Sequence, residues 1–186
     1  MAVIEATTVL LKNGREVCIR TPAAEDAEKV LEYTKTIFSD DRFFLTTEEE
    51  AKEWQTIEKE REHIRTFYDH PDKLFLITEA DNGIVSMSHL ECGWRKRIRH
   101  VGRLGISILP VWRSVGLGTA ILKVIIDWAA MHPVIEKLSL EVWASNERAI
   151  GLYEKMGFAE EGRKVREIKY ADGSYDDCIC MVRFVE

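Results

Sequence analysis

The segment Arg113-Ser114-Val115-Gly116-Leu117-Gly118-Thr119 limits what this chain can be more than any other stretch. It joins an apolar strand-like run, Leu104 to Leu109, to a long amphipathic helical run, Leu117 to Ala130. Two glycines one residue apart let a backbone approach an anion without Cβ clashes. The first N–H groups of a helix have no intrahelical partner and carry the positive end of its dipole. Arg113 adds a forked, permanently charged donor suited to phosphate oxygens. Together these groups make a place to hold a pyrophosphate. A plain strand-to-helix turn can carry the same Gly-x-Gly, so both readings stay open on these residues alone.

Composition narrows the class. With 186 residues, 46% hydrophobic and 31% charged, the chain reads as one globular domain, residues 1–186, large enough to bury a core without disulfides. The net charge of −6 argues against a general nucleic-acid binder, which needs a basic face. Cys18, Cys92, Cys178 and Cys180 form no C-x-x-C pair, so reduced thiols are expected. Met1 to Leu11 lacks the layout of a cleavable leader, and no apolar run spans a bilayer, so a cytoplasmic protein without membrane contact is expected.

The pattern predicts alternating strands and helices. Val17 to Arg20 reads as a strand, and Thr21-Pro22 as the cap and first turn of a helix over Ala23 to Phe38. A loop follows over Ser39 to Thr46. Thr47 and Glu50 form a capping-box pattern before a second helix that reaches Tyr68. Leu74 to Glu79 and Ile84 to Glu91 are strands around Asp81-Asn82-Gly83, a hairpin signal. His100 to Leu109 is a strand, and the third helix places Leu117, Ile121, Val124 and Trp128 on one stripe. Lys137 to Val142 is a strand, and Asn146 to Met156 a helix closed by Gly157. Phe158 to Tyr170 and Asp177 to Phe184 pair around Asp172-Gly173. This order, β-α-α-β-β-β-α-β-α-β-β, is α/β (α+β): a mixed sheet with helices on both faces.

A second stretch, Leu140-Glu141-Val142-Trp143-Ala144-Ser145-Asn146-Glu147-Arg148-Ala149-Ile150-Gly151-Leu152-Tyr153-Glu154-Lys155-Met156-Gly157-Phe158, combines with Arg113-x-x-Gly116-x-Gly118. The pair resembles the GNAT superfamily of acyl-CoA-dependent N-acetyltransferases, over roughly residues 15 to 186. Within it the chain is similar to the branches that acetylate ribosomal-protein alanines and polyamines. The resemblance implies a mostly antiparallel sheet of six to seven strands, splayed at its centre between His100–Leu109 and Lys137–Val142. It implies acetyl-CoA as cosubstrate, with pantetheine bonded to the backbone of Ile106, Ser107 and Ile108. The pyrophosphate would rest on Arg113, Ser114 and the amides of Val115, Gly116, Leu117, Gly118 and Thr119. Asn146 would lie near the pantetheine and Tyr153 near the thioester sulfur. Family members often carry a basic or polar residue where Val115 stands, so one phosphate contact is missing there. A homodimer is a further family-level expectation.

The chemistry explains these residue types. An alkylammonium must lose a proton before it attacks a thioester, and the carbonyl oxygen then needs aimed donors, which strand N–H groups provide. The departing thiolate benefits from a nearby acid, and Tyr153 is the candidate. The resemblance to ribosomal-protein alanine acetyltransferases implies that Glu141, twelve residues before Tyr153, is the base through water, and strand alternation sets it opposite Leu140 and Val142. Tyr153 as a packing aromatic and Glu141 as a solvated strand residue are the competing structural readings. Glu91 and His100 are reserve bases.

Other features read as structural. Trp94-Arg95-Lys96-Arg97-Ile98-Arg99-His100 is a basic run that reads as a solvated turn, with a nucleic-acid contact as the lesser alternative. The five histidines show no metal-ligand spacing, so no metal is expected. The expected function is direct acetyl transfer in a ternary complex to a primary amine, either a small molecule or a peptide N-terminus. A non-catalytic acyl-CoA sensor is the alternative. Asp40, Asp41, Phe43 and Phe44 offer negative charge beside aromatic surface for the acceptor amine, or form only an exposed acidic loop with packing phenyl groups. Asp41→Asn is expected to raise the KM for the acceptor with little change in acetyl-CoA affinity; an unchanged KM would remove that assignment.

Overall fold

The alternation along Val17-Cys18-Ile19 buries one face and leaves the other more open, whereas Leu74 to Ile77 are buried on both faces, so the strands differ in how much of each face is covered. The computed structural model describes residues 3–38, 49–50 and 56–185. The strands are β1 Thr7–Leu10, β2 Glu16–Arg20, β3 Lys73–Ala80, β4 Gly83–Cys92, β5 Val101–Ile108, β6 Lys137–Trp143, β7 Ala159–Lys169 and β8 Tyr175–Phe184. The described helices are α1 Ala27–Phe38, α2 Ile57–Tyr68, α3 Leu117–Met131 and α4 Glu147–Lys155. The sheet is mixed and mostly antiparallel, as the sequence pattern implies, with β1 added at its edge.

The chain divides into two compact units, each taken here by itself. The first comprises Met1–Glu91 and Ile106–Ile121. In it β1, β2, β3 and β4 pair antiparallel in chain order. The β3–β4 turn holds Asp81 at φ 51° and Asn82 at φ 66°, the left-handed pair that a two-residue hairpin of matching twist requires. Gly83 is therefore the first residue of β4 rather than part of the turn. A core of Ala27, Val30, Tyr33 and Ile37 from α1 and Ile64 and Phe67 from α2 packs on Phe75, Ile77 and Ile84 of β3 and β4.

One expected cap is corrected. Thr21 does not cap α1: its Oγ1 accepts from the Ile4 N–H at 2.9 Å. A tight turn over Ala24–Asp26 leads into the helix, and the Asp26 carboxylate accepts from the Ala23 N–H at 2.7 Å. Thr56 caps the helix Ile57–Tyr68, its Oγ1 accepting from the Lys59 N–H at 3.3 Å. Thr47 and Trp54 lie outside the described residues.

The second unit comprises Cys92–Gly105 and Leu122–Glu186. Here β5 runs parallel to β6 through Val101↔Lys137, Gly102↔Leu138 and Arg103↔Ser139. β6 then pairs antiparallel with β8, and β8 with β7. Along α3, the fully buried stripe is Leu117, Ile121, Leu122, Ile125 and Ala129. Val124 and Trp128, expected at its centre, are only half-buried because the stripe is rotated toward Leu122 and Ile125.

One polar cluster ties β2, β3 and α1 together. Arg20 Nη1 and Nη2 meet both oxygens of Asp26 at 2.7 and 2.8 Å, and its Nε meets Glu79 at 2.8 Å. Lys29 completes the cluster with Glu79 at 3.1 Å. The Arg20 hydrogen bonds hold both carboxyls below the usual carboxylate range. Asp26→Ala would leave a largely buried guanidinium without its bidentate partner and the Ala23 N–H without an acceptor. It is expected to destabilise the fold by about 2 kcal/mol, discounted for partial exposure. A carboxyl with a depressed folded pKa stabilises above its unfolded value and loses that contribution as pH falls through the folded one. The gap between wild type and variant in thermal melts should therefore close in acid; a gap unchanged at low pH would contradict this account.

Candidate active site

The first group of expected residues lies wholly in the first unit, where the end of β5 passes into α3. Ile106, Ser107 and Ile108 close β5. The Ser107 side chain is already engaged: its Oγ accepts from the Tyr33 hydroxyl at 2.9 Å and donates to the Met87 carbonyl at 3.3 Å. Burial pushes the Tyr33 phenol well above its ordinary pKa, so it remains a donor. The Ser107 hydroxyl is thus held by two partners, its only O–H being spent on Met87. Leu109 N–H then donates to the Val85 carbonyl at 3.0 Å.

Pro110–Trp112 form one tight turn, and Arg113 N–H donates to Pro110 at 3.2 Å. Arg113 Nε donates to the Ile108 carbonyl at 2.8 Å, which anchors the base of the guanidinium. Ser114 follows at φ 64° and Gly116 at φ 96°. Left-handed residues on either side of Val115 build a concavity of backbone N–H groups, the geometry of an anion-binding nest. A serine in this region costs about 1 kcal/mol and marks a loop whose shape is imposed by its surroundings. Leu117, Gly118 and Thr119 then open α3, and the Gly116 carbonyl accepts from Ala120 N–H at 3.1 Å. The donor set suits a pyrophosphate: a nest, a helix N-terminus and an anchored guanidinium in one continuous segment.

The second group lies in the second unit. Leu140 and Val142 are buried while Glu141 faces the other side of β6, as alternation requires. The Glu141 carboxylate is engaged through both oxygens: Oε1 accepts from Lys164 Nζ at 2.6 Å and Oε2 from the Cys178 thiol at 3.7 Å. Burial, then the Glu141 charge, pushes the Cys178 thiol up to about 11, so it stays protonated. Asn146 caps α4, its Oδ1 accepting from the Ala149 N–H at 3.3 Å.

Tyr153, on α4, is 8% exposed and meets the Phe158 ring edge-on at 5.9 Å. Burial pushes its phenol up to about 12. It forms no hydrogen bond among the described residues through its hydroxyl, and none links it to Glu141 or Asn146. Gly157 ends the helix at φ 83°, and Phe158 N–H reaches back to the Tyr153 carbonyl at 3.0 Å. The ring is thereby fixed at the last turn of α4.

Asp40, Asp41, Phe43 and Phe44 lie outside the described residues. Among the described residues, no group of three or more His, Cys, Asp and Glu side chains is arranged to hold a metal ion. The sequence reading missed Tyr33, buried among apolar α1 residues, and the β1–β2 turn at Leu11–Arg15. An Asn13-Gly14 pair between two β-branched runs was the signal available for that turn.

The sequence profile of the acetyltransferase (GNAT) family matches residues 35–158, well over half of the chain, and the protein belongs to that family. It is an N-acetyltransferase acting on amines. An N-alpha-acetyltransferase of Sulfurisphaera tokodaii is 28% identical over 172 residues, covering 87% of this chain and 90% of the relative. An acetyltransferase of the GNAT family from Streptococcus pneumoniae superposes with a TM-score of 0.86 at 24% identity, over 91% of this chain and 99% of the other. The structure of yncA from Salmonella typhimurium, described with its cofactor acetyl-CoA, gives 0.76 at 15% identity over 91% and 94%. Both structural likenesses are likenesses of fold.

Gly116→Ala tests the loop. A Cβ there would meet Lys12 Cγ at 3.5 Å, an ordinary contact, so the penalty comes from the backbone and not from a clash. The expected loss is about 1–2 kcal/mol in chemical denaturation, with weaker acetyl-CoA binding. An unchanged midpoint would mean that the loop leaves the left-handed region without cost.

Proposed function

We propose that this chain transfers the acetyl group of acetyl-CoA directly to a primary amine within a ternary complex, the acceptor being a peptide α-amino group or a small amine. The observation that carries the reading is the nest at Ser114–Gly116 with Arg113 anchored beside it. It offers several aimed donors to the pyrophosphate while leaving the acetyl group free to be presented elsewhere. The 28% identity to an N-alpha-acetyltransferase over nearly the whole chain supports an α-amino acceptor. Asp40, Asp41, Phe43 and Phe44 are the proposed acceptor contacts. A cytoplasmic setting is proposed as well, in keeping with four unbridged cysteines.

In this scheme the free amine attacks the thioester carbon, the C–N bond forms, and the C–S bond breaks. Tyr153 donates its phenolic proton to the departing sulfur. Its raised pKa keeps it protonated through neutral pH, which suits an acid and not a base. Glu141 takes one proton from the ammonium through water before attack, and the second, shed by nitrogen after the C–N bond forms, replaces the proton that Tyr153 gave to sulfur. A carboxylate has about four lone-pair sites, and Lys164 and Cys178 occupy two.

CoA-thiol release against peptides of varied N-terminus, amino acids and polyamines is the primary test. Turnover with one class fixes the acceptor; binding of acetyl-CoA without turnover on any of them would favour a sensor and overturn the enzyme reading for these acceptors. Tyr153→Phe is expected to lower kcat by roughly a hundredfold with acetyl-CoA affinity unchanged. The acid form of Tyr153 is lost only as pH rises toward about 12. Wild-type kcat should accordingly show no alkaline fall from this group below about pH 10. Full activity in the Phe variant would remove Tyr153 from the chemistry.

A further inference from the structure

The turn joining β1 to β2 touches the anion-binding loop at a charged residue. Lys12 N–H donates to the Val115 carbonyl at 3.1 Å, the carbonyl flanked by the two left-handed residues. A Cβ built on Gly116 would lie 3.5 Å from Lys12 Cγ and 3.8 Å from its Cδ and Cε. The stem of Lys12 therefore runs along Gly116 as far as Cε, which leaves its ammonium, one bond further, within reach of the loop.

The turn is itself well closed. Leu11 N–H donates to Arg15 at 2.9 Å, Gly14 N–H to Leu11 at 3.0 Å, and Arg15 N–H to Asn13 Oδ1 at 3.2 Å. Arg15 is engaged elsewhere: it pairs with Asp81 and lies 3.6 Å over the Trp112 ring. Lys12 is exposed and, among the described residues, has no ion-pair partner. A cation held on a lysine stem beside outward N–H groups has one evident complement, a phosphate.

We infer that Lys12 is a phosphate-binding residue of the cosubstrate site, bringing from the β1–β2 turn the cation that the loop lacks at Val115. The inference rests on the loop being the pyrophosphate cradle. Acetyl-CoA carries two kinds of phosphate, the pyrophosphate and the 3′-phosphate, and the chemistry at Lys12 is common to both.

The test is calorimetric binding by the full chain, as wild type, Lys12→Met and Lys12→Arg, of acetyl-CoA, 3′-dephospho-acetyl-CoA and S-acetylpantetheine. Methionine keeps an unbranched stem on Gly116 without the charge. Lys12→Met should weaken acetyl-CoA roughly tenfold at low salt, with the difference shrinking as ionic strength rises. Lys12→Arg should stay within about twofold, and S-acetylpantetheine should bind all three proteins equally. The same loss with the dephospho compound assigns Lys12 to the pyrophosphate; no loss assigns it to the 3′-phosphate. Equal acetyl-CoA affinity in Lys12→Met overturns the inference. So does an equal loss with S-acetylpantetheine or in Lys12→Arg, since either would mean that the stem merely props the loop. Wild type failing to bind acetyl-CoA would overturn the cradle reading itself.

Discussion

A backbone held in the left-handed region at Ser114 and Gly116 is the constraint around which the first unit is arranged. Left to itself a serine avoids that region, so the loop needs fixing on both sides. Upstream, Arg113 is tied through its N–H to Pro110 and through its Nε to Ile108. Downstream, Gly116 accepts the first bond of α3. Across the top, the Lys12 N–H takes the Val115 carbonyl. The Val115 and Gly116 carbonyls are thus both turned to protein partners, so the loop's shape is held mostly by main-chain bonds.

In the second unit the comparable device is a helix end. Gly157 adopts φ 83°, and a Cβ there would stand 2.5 Å from Arg183 Nη1, the group that bonds the Met156 carbonyl. The dihedral favours glycine, and any Cβ would also have to displace the tip of Arg183. This stop determines where the last turn of α4 lies and hence where Tyr153 lies. The same burial that makes Tyr153 look like a core aromatic raises its pKa and makes it a reluctant base and a durable acid. Packing and protonation state have one cause there, which is why sequence periodicity alone could not separate the two readings of Tyr153.

Legibility followed the range of the interactions. The Gly-x-Gly loop, the Asp81-Asn82 hairpin and the Gly157 stop depend on neighbours a few residues away, and the sequence announced each of them. The alternation that turns Glu141 from Leu140 and Val142 was equally plain. Caps were less so: Thr21 had the right chemistry, yet it bonds Ile4, seventeen residues back, and the cap at Thr56 of the helix reaching Tyr68 went unread. Partners distant in sequence were invisible. Nothing in the spacing links Tyr33 to Ser107, Lys164 to Glu141, or Lys12 to Val115. Each contact exists only because the tertiary fold brings together segments far apart in the chain.

The β1–β2 turn has a practical consequence for protein engineering. The segment that carries the family signature, residues 35–158, contains the loop but not the turn that grips it. It also omits Arg20 and Asp26, which tie β2 to the start of α1. A minimal catalytic fragment cut at those bounds would keep the recognisable motif and lose the brace that shapes it. Redesign of cosubstrate preference in this scaffold therefore has an address outside the motif, in a five-residue turn about a hundred positions upstream of the loop it supports.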